Sequence, residues 1–184
     1  MNTRIVGLGN DLLSDDGVGL EVVRELRCRL GHRGDLEFRE SAVGGMRLLD
    51  DLLGGDRVVL VDALLAPNQS TGCVSIWRWE PSDSSFRCYD VSGRDTGGPV
   101  FCPARRYSST HDTDLASALA LARELGMPLP KRIWLFAVAI GDATTFHEGV
   151  CREVAAGRDK LIALLERALV ADAASPAVGH AVAS

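Results

Sequence analysis

Two aspartates and one histidine are the residues of this chain whose types could together bind a metal ion. Asp16 follows the first predicted strand, Asp62 ends the apolar strand at residues 58–62, and His111 begins a predicted helix. In an open parallel sheet, ligands bind beyond the carboxyl ends of the strands. Such a sheet would bring the three side chains to one edge. Two carboxylates and an imidazole there predict a half-open site for a divalent ion such as nickel, copper or zinc.

Simpler explanations exist for each of these residues. Asp15 and Asp16 together would stabilise the first turn of a helix by roughly 0.3–1 kcal/mol each. Asp62 could cap the turn after its strand, although a carboxylate at the end of a buried strand is costly unless it is paired or coordinated. His111 could belong to an ordinary helix start. The metal hypothesis therefore depends on all three meeting at one edge.

Other kinds of catalytic site find less support. His147 and Glu148 are competing ligands, because the loop after residues 132–140 should open at the same edge. Neither a serine-nucleophile elbow nor an H-E-x-x-H zinc motif occurs. His111 could pair with a distant cysteine, of which Cys102 is the most exposed by context, but nothing local supports that pairing.

The turn Gly7-Leu8-Gly9 is similar to the start of a dinucleotide-binding fingerprint. That fingerprint needs a third glycine where this chain has Leu12. The aspartates that follow would also repel a pyrophosphate. The turn therefore argues against a nucleotide cofactor.

The composition indicates a globular chain that does not bind nucleic acid. Of 184 residues, 46% are hydrophobic, the net charge is −5, and the basic residues are dispersed. The five cysteines are odd in number and form no C-x-x-C pair, which favours a reducing compartment. Cys28 and Cys151 lie in helical patterns and are predicted to be buried thiols. With no signal-type or membrane-spanning apolar segment, we expect a cytoplasmic protein without a membrane partner.

Predicted strands alternate with predicted helices along the chain, which indicates an α/β fold. Residues 3–8, 57–62 and 132–140 are apolar runs typical of buried parallel strands, and residues 35–39 alternate like a half-exposed strand. The segment 73–79 lacks a crossover helix before it and can pair antiparallel at an edge. We predict a three-layer fold with a mostly parallel, twisted sheet of about five strands and helices on both faces.

The remaining segments complete a single predicted domain. Helical spacing predicts helices at residues 16–30, 46–53, 113–125 and about 150–170. Residues 80–110 are rich in Ser, Gly, Pro and Arg, which predicts a long loop. We expect residues 1–172 to form one α/β peptidase domain, and residues 173–184 to form a flexible tail.

Four segments resemble the signature of the hydrogenase maturation endopeptidases, which process the large subunit of nickel-iron hydrogenases. They are residues 7–19 (GLGNDLLSDDGVG), 44–49 (GGMRLL), 59–63 (VLVDA) and 109–112 (STHD), and they occur in the family's order. The resemblance covers roughly residues 3–170. In that family an acid in the first loop, a strand-ending aspartate and a histidine contact nickel.

The resemblance therefore implies that Asp16, Asp62 and His111 are both metal-contacting and catalytic residues. Many members have glutamate at the first position, and aspartate is shorter by one methylene group. Glu40 falls where the family has an acid near the cleavage chemistry, and many members have aspartate there. Glu40 is thus a fourth candidate catalytic residue. Residues 80–110 have no clear counterpart in smaller members of the family.

The implied function is one specific cut. The endopeptidase would remove the C-terminal extension of a hydrogenase large-subunit precursor after nickel insertion, and that nickel would be the recognition element. The isolated chain would be metal-free. Either the metal orients or polarises the scissile carbonyl, or a carboxylate activates water as a general base. Two alternatives stay open: a self-contained metallohydrolase of small substrates that binds its own zinc, and a non-enzymatic metallochaperone for the precursor.

Overall fold

The computed structural model describes residues 2–42, 45–65, 69–80, 85–90, 94–96 and 115–174. These residues form a single sheet of six strands, in the order β2-β1-β3-β6-β4-β5. The strands are β1 (Thr3–Leu8), β2 (Leu36–Ser41), β3 (Arg57–Leu65), β4 (Val74–Glu80), β5 (Ser85–Tyr89) and β6 (Arg132–Ile140).

The sheet joins a parallel half to an antiparallel hairpin. Strands β2, β1, β3 and β6 run parallel, so their carboxyl ends lie at one edge. Strand β4 runs antiparallel both to β6 and to β5. The prediction of a mostly parallel sheet with an antiparallel segment near residues 73–79 is confirmed, but this segment, β4, is not an edge strand, because β5 pairs with its other side.

Helices cover both faces of this sheet. They are α1 (Val18–Leu30), α2 (Leu49–Leu52), α3 (Leu115–Glu124) and α4 (Arg152–Ala174), and 3₁₀ turns at Ser14–Gly17 and Gly45–Leu48 precede the first two. Helices α1 and α4 pack on one face against alternate residues of the central strands, such as Val59 and Val61. Helices α2 and α3 pack on the other face, against Val58 and Leu60. The three-layer arrangement is therefore as predicted.

Two expectations about strands are wrong. The sheet has six strands among the described residues, not about five, because β5 lies inside the segment predicted to be a loop. Strand β5 has only five residues, of which Phe86 and Tyr89 are buried and Arg87 is exposed, and so short a strand does not stand out in a polar segment. The other error concerns Asp62, which does not end its strand, since β3 continues along β6 as far as Leu65.

The thiols and the final helix also differ from expectation. Cys28 and Cys151 are exposed, because Cys28 lies on the outer face of α1 and Cys151 precedes α4 rather than belonging to it. Helix α4 extends to Ala174, and the predicted tail beyond it falls outside the described residues. No helix in the described ranges is both long and apolar enough to cross a membrane.

Candidate active site

Asp62 lies where β3 loses one of its two neighbours. The pairing of β1 with β3 ends at Gly7 and Val61, whereas the pairing of β3 with β6 continues through Asp62 and Ala137. The Asp62 side chain is therefore next to the gap left by β1, and the residue is only 6% exposed. Its Oδ1 accepts the backbone N–H of Ala63 at 2.9 Å. A carboxylate buried to this degree requires partners or a bound cation.

Asp16 belongs to the 3₁₀ turn at Ser14–Gly17, which contacts β3 beside that gap. Two glycines bring the turn close to the sheet. Gly9 has a φ of +155°, and a Cβ on it would collide with the Asp16 carbonyl oxygen. A Cβ on Gly19 would come within 2.5 Å of the Val61 oxygen and closer still to the Leu8 oxygen. Asp16, which is half-buried, is thus seated at the ends of β1 and β3.

The structure thus brings Asp16 and Asp62 to the same edge of the sheet, Asp16 in the turn after β1 and Asp62 within the adjacent parallel strand β3. His111 lies outside the described residues, so its meeting with the two aspartates stays a prediction. Within the described ranges, no group of three or more His, Cys, Asp or Glu side chains is placed to hold a metal ion. Asp16 and Asp62 supply two carboxylates to a half-open edge.

Glu40 lies near the carboxyl end of β2, opposite Gly7 of β1. Its carboxylate accepts hydrogen bonds from Arg24 at 2.6 and 2.8 Å and from Arg27 at 2.8 Å, both on α1. Arg24 also donates to both oxygens of Asp11, at 3.0 and 2.7 Å. Burial alone would raise the pKa of the Glu40 carboxyl, but the hydrogen bonds from the two arginines outweigh it and lower that pKa.

This ion-pair network bears on the predicted catalytic role of Glu40. A carboxylate whose pKa is lowered is a weaker proton acceptor, which makes it a poorer general base. Its partners connect β2 and α1 to the loop after β1 through Asp11. The geometry therefore favours a positioning role for Glu40, and its participation in cleavage stays a prediction.

The loop after β6 opens at the same edge, as the sequence predicted for His147 and Glu148. Its backbone bonds the loop after β1: the Ser14 N–H donates to the His147 oxygen at 2.9 Å, and the His147 N–H donates to the Leu12 oxygen at 3.2 Å. The side chains of His147 and Glu148 are exposed. Within this loop, Asp142 accepts hydrogen bonds from Thr145 and Thr144, which hold the pKa of its carboxyl far below the usual range.

Asp15 is the residue at this edge whose role the sequence did not show. The sequence pattern predicts that Asp15, like Asp16, is an acid in the first turn of a helix, but Asp15 is only 3% exposed. Its Oδ1 accepts the backbone N–H of Cys151 at 2.7 Å, directly before α4. A run of two acids gives no sign that one of them is buried, because the partner is 136 residues away.

The glycines of the Gly7-Leu8-Gly9 turn have a structural role in the packing of α1. A Cβ on Gly7 would collide with the carbonyl oxygen of Gly19, so β1 and α1 meet backbone to backbone. Close helix–strand packing is one of the tasks that glycines perform in dinucleotide-binding turns as well. Here the same packing seats an acidic turn, which is unsuited to a pyrophosphate.

The fold and this edge define an α/β protein that carries a cluster of acidic residues at the carboxyl ends of its parallel strands. No protein-family model matches the chain. The hydrogenase 2 maturation protease of Escherichia coli strain K12 is 26% identical over 156 residues, which cover 85% of this chain and 83% of that protein.

Solved structures agree in fold. The hydrogenase maturating endopeptidase HybD from E. coli matches with a TM-score of 0.64 at 24% identity, over 95% of this chain and 93% of that one. The hydrogenase 2 maturation peptidase from a Thaumarchaeota archaeon matches with a TM-score of 0.60 at 22% identity, over 92% and 98% of the two chains. In sequence and in fold, the chain is thus similar to the hydrogenase maturation endopeptidases.

Proposed function

We propose that this chain is an endopeptidase that removes the C-terminal extension of a nickel-iron hydrogenase large-subunit precursor. Nickel already held by the precursor is its recognition element. The observation that carries the proposal is the placement of Asp16 and Asp62 together at the carboxyl edge. The similarity to the hydrogenase 2 maturation protease, which extends over 85% of the chain, supports the same substrate class.

The donor set suits a nickel ion that arrives with its substrate. Asp16 and Asp62 provide carboxylate oxygens, and His111 would add an imidazole, the ligand type that nickel and its neighbours favour. Three protein ligands leave coordination positions for the precursor's own donors. A metal brought by a folded partner would approach this edge, where Asp16 is half-buried rather than fully enclosed. We therefore expect the isolated chain to bind nickel weakly.

In this mechanism Asp16, Asp62 and His111 hold the precursor so that its scissile bond lies near the site. Restricting that bond to a productive geometry can supply a large part of the rate enhancement. Attack by water on the scissile carbonyl is promoted either by polarisation of that carbonyl or by a site carboxylate that acts as a general base towards the water. Glu40 is the weaker candidate for that base, since two arginines stabilise its anion.

Exposed apolar side chains beside the site favour a protein substrate over a small molecule. Phe146 is 82% exposed and Leu12 is 58% exposed, on the two loops joined through His147. Large apolar side chains grouped on a surface commonly mark a protein-interaction site. A precursor docked over Leu12 and Phe146 would have its metal close to the turn that carries Asp16.

Mass spectrometry of the precursor tests the proposal directly. Nickel-loaded and nickel-free precursors are each incubated with the purified chain. We expect only the nickel-loaded precursor to shorten, by one peptide from its C-terminus. Efficient shortening of the nickel-free form would contradict nickel recognition, and no shortening of either form would contradict the protease assignment.

Two variants connect the activity to the site. We expect Asp62→Ala to abolish cleavage, and His111→Ala to do the same while leaving the chain folded. The matched control is Asp56→Asn, at the opposite end of β3, where Asp56 accepts the backbone N–H of Asn2. An equal loss of cleavage in Asp56→Asn would show that removing a carboxylate at either end of β3 impairs the protein. The assignment of Asp62 to the site would then be wrong.

Metal analysis separates the alternatives. A tightly bound stoichiometric zinc ion in the purified chain would favour a self-contained metallohydrolase. Retention of full precursor length together with nickel transfer would favour a metallochaperone. The protease assignment requires a shortened precursor and a chain purified without stoichiometric metal.

A further inference from the structure

A second aspartate of the acidic turn is a buried link between distant parts of the chain. Asp15 is 3% exposed and accepts the backbone N–H of Cys151 at 2.7 Å. Cys151 stands directly before Arg152, the first residue of α4. Burial and the nearby Asp15 carboxylate raise the pKa of the Cys151 thiol. This contact therefore joins the turn after β1 to the start of the last helix.

The start of α4 is a favourable place for this carboxylate. The first N–H groups of an α-helix lack partners within the helix, and the helix dipole makes that end positive. An anion buried there gains both hydrogen bonding and favourable electrostatics. The start of α4 thus stabilises the buried Asp15 carboxylate.

The turn after β1 is also joined through backbone hydrogen bonds to the loop that precedes α4. The Ser14 N–H donates to the His147 oxygen at 2.9 Å, and the His147 N–H donates to the Leu12 oxygen at 3.2 Å. These bonds hold the start of the turn at Ser14 and the residue Leu12 before it. Within the turn, the Asp15 side chain adds a hydrogen bond to the start of α4, which fixes the direction in which Asp15 points.

The orientation of Asp15 constrains its neighbour. Successive side chains of a 3₁₀ helix differ in direction by about 120°. With Asp15 directed towards α4 and buried, Asp16 must point elsewhere, and it is half-buried at the edge beside β3. The Asp16 N–H donates to the Leu13 oxygen at 2.9 Å, which keeps the turn tight. We propose that Asp15 is a positioning residue that orients Asp16 towards incoming nickel.

The inference rests on the proposed function, because two of its tests measure nickel binding and precursor cleavage. Its third test, amide hydrogen exchange, is independent of that function. The variants are Asp15→Ala, which removes the bond to Cys151, and Asp15→Asn, whose amide oxygen can still accept it. The control is Glu21→Ala, since Glu21 of α1 accepts a 2.6 Å hydrogen bond from Arg158 of α4. That control breaks another contact between an acid and α4 without touching the turn.

Three measurements are made on each variant: amide exchange of residues 12–17, titration with Ni²⁺ alone, and single-turnover cleavage of nickel-loaded precursor. We expect Asp15→Ala to exchange faster at Ser14 and Asp16, and to lose roughly 10–100-fold in nickel affinity and cleavage rate, as for groups that orient a metal ligand. Asp15→Asn should keep most of the wild-type nickel affinity and cleavage rate, and Glu21→Ala should keep both unchanged.

Wild-type exchange at Ser14 and Asp16 in Asp15→Ala would overturn the inference whether or not the wild type cleaves the precursor. Unchanged nickel affinity and cleavage in that variant would overturn it while leaving the proposed function intact. A wild type that cleaves nothing would refute the proposed function alone. Should Asp15→Ala not fold, Asp15→Glu keeps the charge but displaces the turn by one methylene, and wild-type cleavage by that variant would equally overturn the inference.

Discussion

Alanine at position 19 would test how closely α1 must approach the sheet to place Asp16. A Cβ at this position would lie 2.5 Å from the Val61 oxygen and closer still to the Leu8 oxygen, whereas real Cβ atoms keep at least 3.0 Å. Both obstacles are backbone atoms, so no change of side-chain rotamer can relieve the collision. The start of α1 must therefore move away from the edge, and Asp16, three residues earlier, must move with it.

The expected effects can be estimated from this geometry. Overpacking costs about 1–3 kcal/mol, and the upper end applies because backbone is the obstacle. Alanine regains about 1 kcal/mol over glycine within a helix, which leaves a net loss of about 2 kcal/mol. For a domain of this size, that loss lowers the Tm by about 4–8 °C. A displacement of roughly 1 Å at a catalytic group can reduce the rate about 100-fold.

The assay is single-turnover cleavage of nickel-loaded precursor at 25 °C, below the Tm of every variant, with thermal unfolding measured on the same samples. Gly34→Ala is the neutral control, because no atom lies within 4 Å of the added Cβ. Ile133→Ala is the control for stability, since this buried residue lies near the opposite edge and its truncation costs about 2–5 kcal/mol.

Wild-type stability and rate in Gly19→Ala would refute the close seating of the turn on the sheet. A loss of rate in Ile133→Ala as large as in Gly19→Ala would show that lowered stability, rather than a displaced Asp16, explains the effect. Only a large loss of rate confined to Gly19→Ala supports the reasoning.

Two further predictions concern the rim of the site. The Glu40 pKa is lower in the folded chain, so its ion pairs stabilise the fold above the ordinary pKa of 4.5, and this contribution is lost as the pH falls through the folded-state pKa. Glu40→Gln should therefore lower the free energy of unfolding by about 1 kcal/mol near pH 7. In denaturant unfolding, the stability of this variant should also fall less steeply than that of the wild type as the pH decreases. Parallel pH profiles of the two proteins would argue against these ion pairs. Phe146→Ser and Leu12→Ser should each raise the KM for precursor several-fold with little change in kcat, and an equal rise in Leu125→Ser, an exposed residue after α3, would show that the effect is not local.

The shared edge of Asp16 and Asp62 could be predicted because it follows from topology. Apolar runs separated by helices require parallel strands, and acids after such strands must meet at one edge. The pairing of β3 beyond Asp62 could not be predicted in the same way. It depends on β6 being longer than β1, and the two strands lie far apart in the chain, at Thr3–Leu8 and Arg132–Ile140.

Burial and partnership were harder to predict than position. Asp15 and Asp16 are the same residue type in the same turn, yet one is buried against α4 and the other is half-buried at the edge. The exposure of Cys28 likewise depends on which face of α1 meets the sheet. Helical spacing predicts that face well for Leu26 and Leu30, but a small thiol near its border can fall on either side.

The distribution of charge explains how one edge can hold so many acids and still attract a cation. The described segments at the carboxyl ends of β1, β2 and β3 carry five carboxylates: Asp11, Asp15, Asp16, Glu40 and Asp62. Two arginines of α1 compensate the first and fourth of these, and the start of α4 compensates the second. These three hold the loop, the turn and the strand in place. Asp16 and Asp62 lie at the same edge, one in the turn that contacts β3 and the other in β3 itself. Under the proposed function, we expect a divalent ion bound there to relieve the repulsion between their carboxylates, so that the three held acids prepare the edge for the metal that the substrate brings.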